Sequence, residues 1–69
     1  MNKEMHENIF IYPQRFEQCT VYTIINEGGD DIINFYDFAS NKEFEIKIKS
    51  NRGVKLWIDT KGEILEIYQ

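Results

Sequence analysis

The sequence predicts a mostly β protein: an antiparallel meander of five or six strands, curled into a strongly bent sheet or small barrel, with little helix. Three observations predict it. Glu43-Phe44-Glu45-Ile46-Lys47-Ile48-Lys49 alternates charged and apolar residues without a break, the pattern of a strand with one wet and one buried face. Two polar segments with glycine in fourth place, Ser50-Asn51-Arg52-Gly53 and Asp59-Thr60-Lys61-Gly62, read as turns. Upstream, residues 19–26 and 32–38 are dominated by β-branched and aromatic types.

Residues 1–8 are polar and are expected to be frayed, with the single histidine, His6, solvated among them. Ile9-Phe10-Ile11-Tyr12 is a β-prone run stopped by Pro13, which suits an edge strand or a segment laid over the sheet. Residues 14–18 then form a linker, with Phe16 tucked inward. The strand over residues 19–26 makes Cys19 a small buried hydrophobe. Gly28-Gly29 supplies the positive φ angles of a tight hairpin into the strand over 32–38. With that loop Glu27 opposes Asp30, Asp31 lies next door, and three carboxylates crowd one hairpin mouth. Ala39-Ser40-Asn41-Lys42 returns the chain into the alternating strand.

The last three strands specify a register. A three-residue loop ending on Gly53 sets Ile48 opposite Leu56, Ile46 opposite Ile58, Lys47 opposite Trp57 and Glu45 opposite Asp59. The same geometry at Gly62 sets Ile58 opposite Ile64 and Trp57 opposite Leu65. A two-residue loop there would pair Ile58 with Leu65, Leu56 with Ile67 and Trp57 with Glu66. On the side away from Ile46 and Ile58, the first register assembles an apolar patch of Trp57, Leu65 and Ile67, which the run at residues 9–12 could cover. Glu43, Glu45 and Asp59 then make one end of the wet face acidic.

At 69 residues the chain is expected to form one small domain, with its ten aromatic rings supplying much of the core and a homodimer supplementing its stability. One cysteine allows no intramolecular disulfide, and no secretory or membrane-spanning pattern is evident, so a cytoplasmic location is expected. The net charge of −4 disfavours nucleic acid and anionic membrane as direct partners. It is unevenly spread. Residues 1–40 hold seven acids against two bases, and residues 41–69 hold five acids against six bases.

No glycine-rich phosphate loop, paired histidine ligands or nucleophile elbow is present, so neither an enzyme nor a cofactor is expected. Glu27, Asp30, Asp31 and Asp37 offer the oxygen ligands of a hard cation, but their spacing fits no calcium-binding loop and no metal is expected. Alternate residues on one strand face lie about 6.5 to 7 Å apart, a spacing comparable to that of phosphates along a DNA strand. Glu43 and Glu45 have that spacing, Asp59 lies across from Glu45, and Glu27, Asp30, Asp31 and Asp37 add a second group. An acidic array of this kind could enter a basic DNA-binding groove. The alternative is docking on a partner through the apolar patch around Trp57, with Leu65, Ile67 and Tyr68, or through a sheet edge.

In size, acidity and Asn/Ile/Lys/Glu-rich composition the chain resembles the small proteins that phages of low-GC Gram-positive bacteria make to disable host factors, several of them DNA mimics. The resemblance implies a non-enzymatic inhibitor that blocks a basic host DNA-binding protein, such as a nucleoid factor, through the acidic residues already named.

Overall fold

The computed structural model describes residues 8–69, and the expectation of a frayed start over residues 1–8 lies outside that range except at Asn8, whose carbonyl accepts the Glu27 N–H at 2.8 Å. The described residues form six antiparallel strands and no helix: β1 (Ile9–Arg15), β2 (Cys19–Asn26), β3 (Asp31–Asp37), β4 (Lys42–Ile48), β5 (Arg52–Asp59) and β6 (Ile64–Tyr68). All-β character and strand positions follow the sequence reading. The pairing does not.

The strands form a four-stranded sheet in the order β1-β2-β5-β6 and a separate β3-β4 hairpin, neither of them closed into a barrel. The expected meander is corrected at two joints. β2 pairs with β5, Tyr22 opposite Leu56 and Ile24 opposite Val54, and not with β3. β4 pairs with β3, Ile33 opposite Ile46 and Phe35 opposite Phe44, and not with β5. The expected pairs Ile48–Leu56, Ile46–Ile58, Lys47–Trp57 and Glu45–Asp59 are therefore not formed.

The physical reason lies in the one-sided strands. β4 buries Ile46 and Ile48 on a single face, and β5 buries Val54, Leu56 and Ile58 on a single face. Side by side, those faces would form one oily surface needing a further layer that a chain of this length lacks. Folded over at the connection, the two faces cover each other. The links β2–β3 and β4–β5 are thus arches between layers, and both lie at the same end. The three true hairpin turns lie at the other end. The result is a slab of 32 × 30 × 15 Å.

Tyr22, Ile24, Val54, Leu56 and Ile58 from the large sheet and Ile33, Ile46 and Ile48 from the hairpin make the core, with Ile9, Ile11, Phe35 and Phe44 partly buried against it. The rings of Phe35 and Tyr22 sit 4.7 Å apart, and those of Phe35 and Phe44 5.6 Å apart. Isoleucine, rather than the rings, dominates the interior. Phe10, Tyr12, Phe16, Tyr36, Phe38 and Tyr68 are exposed, which corrects both the aromatic core and the inward Phe16.

Polar groups hold the hairpin to the sheet at both ends. At the arches, buried Asn26 donates from Nδ2 toward the carbonyls of Gly29, Ile48 and Lys49 at 2.9, 3.2 and 3.1 Å, and accepts from Gly28 N–H at 2.9 Å. Ser50 completes the link, its N–H to Asp30 Oδ1 and its hydroxyl to the Gly28 carbonyl. At the turn end, the Tyr22 hydroxyl donates to Asp37 Oδ1 at 2.5 Å. Ser40 donates to Asp37 Oδ2 from both its N–H and its hydroxyl.

Two turns depart from the glycine reading. Gly28, Gly29 and Gly53 do not take positive φ; in the β4–β5 arch the left-handed residue is Asn51, at φ 56°. The β5–β6 turn is as expected, with Gly62 at φ 87°, the Gly62 N–H on the Asp59 carbonyl and the Asp59 N–H on the Glu63 carbonyl. β1 runs through Pro13 because it is an edge, where a missing N–H costs the ladder nothing on the open side.

Candidate functional site

Alternation places each outward side chain. With Thr20, Tyr22, Ile24 and Asn26 of β2 turned toward the hairpin, Cys19, Val21, Thr23 and Ile25 turn away. The register carries that face across the sheet: Phe10 opposite Ile25, Val21 opposite Trp57, Lys55 opposite Tyr68. Leu65 sits in a bulge and, with Cys19 and Asp59, lines a shallow depression on this outer side. The outer face therefore presents Phe10, Tyr12, Ile25, Trp57, Leu65 and Tyr68 around buried Val21. An antiparallel sheet with one covered face ordinarily turns polar groups outward. Here the charges on that side, Lys55 and Asp59 along β5 and Glu66 opposite on β6, border half-buried Trp57, and the outward positions of β1 and β2 at Phe10, Tyr12, Val21 and Ile25 are uncharged.

The bulge reconciles the two registers open at the sequence level. Ile58 faces Ile64, as a three-residue loop requires, and beyond Leu65 the pairs become Trp57–Glu66 and Leu56–Ile67, as a two-residue loop would give. Trp57 and Leu65 do share the outer face. Ile67 turns inward beside Leu56 and leaves the expected patch, and β1 lies next to β2 in the sheet without covering Trp57.

The acidic residues are not gathered. Glu43 and Glu45 stand on the outer side of the hairpin, opposite Tyr36 and Asn34, while Asp59 belongs to the outer side of the other layer, opposite Cys19. The slab separates them. Asp37 is 1% exposed and hydrogen-bonded by Tyr22 and Ser40, so it is not on the surface. Glu27, Asp30 and Asp31 lie at the arch end, where Asp30 and Asp31 line a depression together with Lys47 and Lys49. Asp59 Oδ1 accepts the N–H groups of Lys61 and Glu63, both at 2.9 Å. The Glu63 bond is the largest effect and, with the lesser help of the Lys61 bond, holds its carboxyl below the usual carboxylate value against the opposing effect of burial, which is second in size. Tyr22 moves the other way, pushed well above an ordinary phenol by burial and then by the bond to Asp37.

A third concavity, about 380 Å³, opens between β1 and the hairpin tip, walled by Ile11, Pro13, Arg15, Phe35, Tyr36 and Phe38. Among the described residues no group of three or more His, Cys, Asp or Glu side chains is placed to hold a metal ion. No helix among them is long and apolar enough to cross a membrane.

The sequence placed residues 9–12 on an edge strand or on a segment laid over the sheet, expected the rings of Phe10 and Tyr12 to contribute to the core, and gave Ile25 no face; β1 is an edge strand whose Phe10 and Tyr12 are exposed. The signal against that was present: residues 9–12 are apolar at every position, as are 24 and 25, so each strand must turn something oily to both faces. No protein-family model matches the chain, and no curated protein or solved structure does so.

Proposed function

We propose that this protein is a non-enzymatic binding module that docks on another protein through the outer face of its four-stranded sheet, with Trp57 at the centre and Phe10, Tyr12, Ile25 and Leu65 around it. The observation that carries this reading is that face itself: large apolar and aromatic groups lie side by side where a solvated sheet would carry polar ones. Tyrosine and tryptophan are the side chains that most often dominate binding energy, and Lys55, Asp59 and Glu66, which border Trp57 on β5 and β6, put the polar margin of this face on its β6 side.

The second reading keeps the DNA-mimicking inhibitor of a basic host DNA-binding protein, acting in the cytoplasm. Glu43 and Glu45 favour it, exposed two residues apart on one strand. It has lost Asp37 to the interior and Asp59 to the opposite layer. Lys47 continues the same strand face and reverses its sign. The apolar reading therefore stands first.

Capture of partners from a bacterial lysate on the immobilised chain separates the two. Apolar docking retains its partner from low to high salt, and Tyr12→Ser, at an exposed position, reduces capture by about tenfold. Capture that disappears with salt and ignores Tyr12→Ser would overturn the apolar reading and favour the acidic one.

A further inference from the structure

The two edges of the four-stranded sheet differ. β1 carries Pro13 and Arg15, both exposed, which are devices that blunt an edge against strand addition. The hairpin strands carry Asp31 and Asn34 on β3 and Glu43, Glu45 and Lys47 on β4. β6 carries a single charge, Glu66, among four large apolar side chains and has no proline. Among the described residues it pairs with β5 alone, and Ile64, Leu65, Ile67 and Tyr68 are 48%, 57%, 46% and 68% exposed. Ile64 and Ile67 belong to the inner side, beyond the reach of the two-stranded hairpin, and Leu65 and Tyr68 to the outer side. A partner docking on one face would cover half of this set. A strand added in the plane of the sheet covers both sides together.

We propose that a second copy of this chain occupies that edge, β6 against β6 in antiparallel array about a two-fold axis, joining two four-stranded sheets into one of eight. The residues select the register. With the axis at Ile67, Ile67 faces its own copy, and the inner row reads Leu56, Ile67, Ile67, Leu56 across the junction. Glu66 then faces Tyr68 of the copy, both turned outward. Because Tyr68 is paired to Lys55 within each chain, Glu66 of one copy lies two strands, about 10 Å, from Lys55 of the other, with opposite sign. An axis at Glu66 would set that carboxylate against itself. A closed two-fold pair of this kind is the commonest homo-oligomer. Its small contact, near the low end of about 1,000 Å² for specific interfaces, makes it dissociate on dilution. The pairing shares Leu65 with the outer face, whose residues Ile25, Tyr12 and Phe10 lie two and three strands away on β2 and β1.

Sedimentation equilibrium of the full chain over a concentration series tests the pairing. The expected mass rises with concentration toward twice the 8.3 kDa of one chain. Ile67→Lys sets two like charges on the axis and is expected to weaken association by about tenfold or more, with an unchanged far-ultraviolet circular dichroism spectrum. In a Cys19→Ser background, Ile67→Cys is expected to give a covalent dimer under mild oxidation, because the axis brings that position against itself. Glu66→Cys is expected to give little. Tyr12→Ser leaves the dimer unchanged, which keeps this result separate from partner capture. A mass that stays at one chain throughout, association indifferent to Ile67→Lys, or faster crosslinking at position 66 than at 67 would each overturn the pairing. Should Ile67→Lys fail to fold, the cysteine comparison decides alone.

Discussion

Three buried polar side chains decide how the two layers stay together. Asn26, 1% exposed, bridges both arches, and its removal would leave the Gly29, Ile48 and Lys49 carbonyls without that donor. Asn26→Ala is expected to lose about 1 to 3 kcal/mol, measured by the shift of the chemical denaturation midpoint. At the far end Tyr22 and Asp37 act as a pair. Raising the Tyr22 value above that of the unfolded chain means that the fold favours the protonated phenol. The resulting stability is complete below about pH 10 and declines as pH rises beyond it. Wild type should therefore lose stability above that point more steeply than Tyr22→Phe, as followed by thermal melts across alkaline pH. Asp59 is the acid counterpart. Its lowered value means stability that is present at neutral pH and lost as pH falls through the folded value, below about 4. The difference in melting temperature between wild type and Asp59→Ala should vanish over that range. Nothing in the sequence marks Asp37 as buried or Asn26 as a bridge: each is a short polar residue at a strand end, and only the opposite layer supplies the partners.

Strand positions were legible because alternation and β-branched composition are local properties, and the strands lie where the runs at residues 9–12, 19–26, 32–38, 43–49 and beyond place them, except that β1 runs on through Pro13 to Arg15 into the expected linker. Turn geometry was legible where a single residue forces it. Gly62, at φ 87°, is such a residue, and a Cβ there would also lie 2.4 Å from Lys42 Cδ. Gly53, read from sequence as its equivalent, sits within β5 without a positive φ, and a Cβ would meet the Ile24 carbonyl oxygen at 3.4 Å. Gly62→Ala is thus expected to cost about 1 kcal/mol or more, and Gly53→Ala to stay within about 0.5 kcal/mol, both read from urea unfolding. Equal losses at the two positions would contradict the arch between β4 and β5. The β5–β6 register divided at Leu65 because the extra residue lets Ile58 and Leu56 each find an isoleucine on the inner side.

At the scale of the molecule, a two-stranded hairpin covers only the middle of a four-stranded sheet, which leaves an apolar outer face and an open, oily β6 edge. Both proposals arise from that mismatch. The part of the binding surface around Trp57 and Leu65 could be read in advance, since both were assigned to the side away from Ile58. Phe10, Tyr12 and Ile25 could not, because their membership depends on β1 lying beside β2. By itself the sequence determined that the chain is built of antiparallel strands, which residues of β4 and β5 turn inward, and where the net charge lies, all of which follow from side-chain type and a period of two; at Ile67 the bulge in β6 reversed the expected face. Only the tertiary structure decided which strands are neighbours. A one-sided strand states that it needs cover without stating from where, and in so short a chain the cover comes from folding strands over one another rather than laying them side by side.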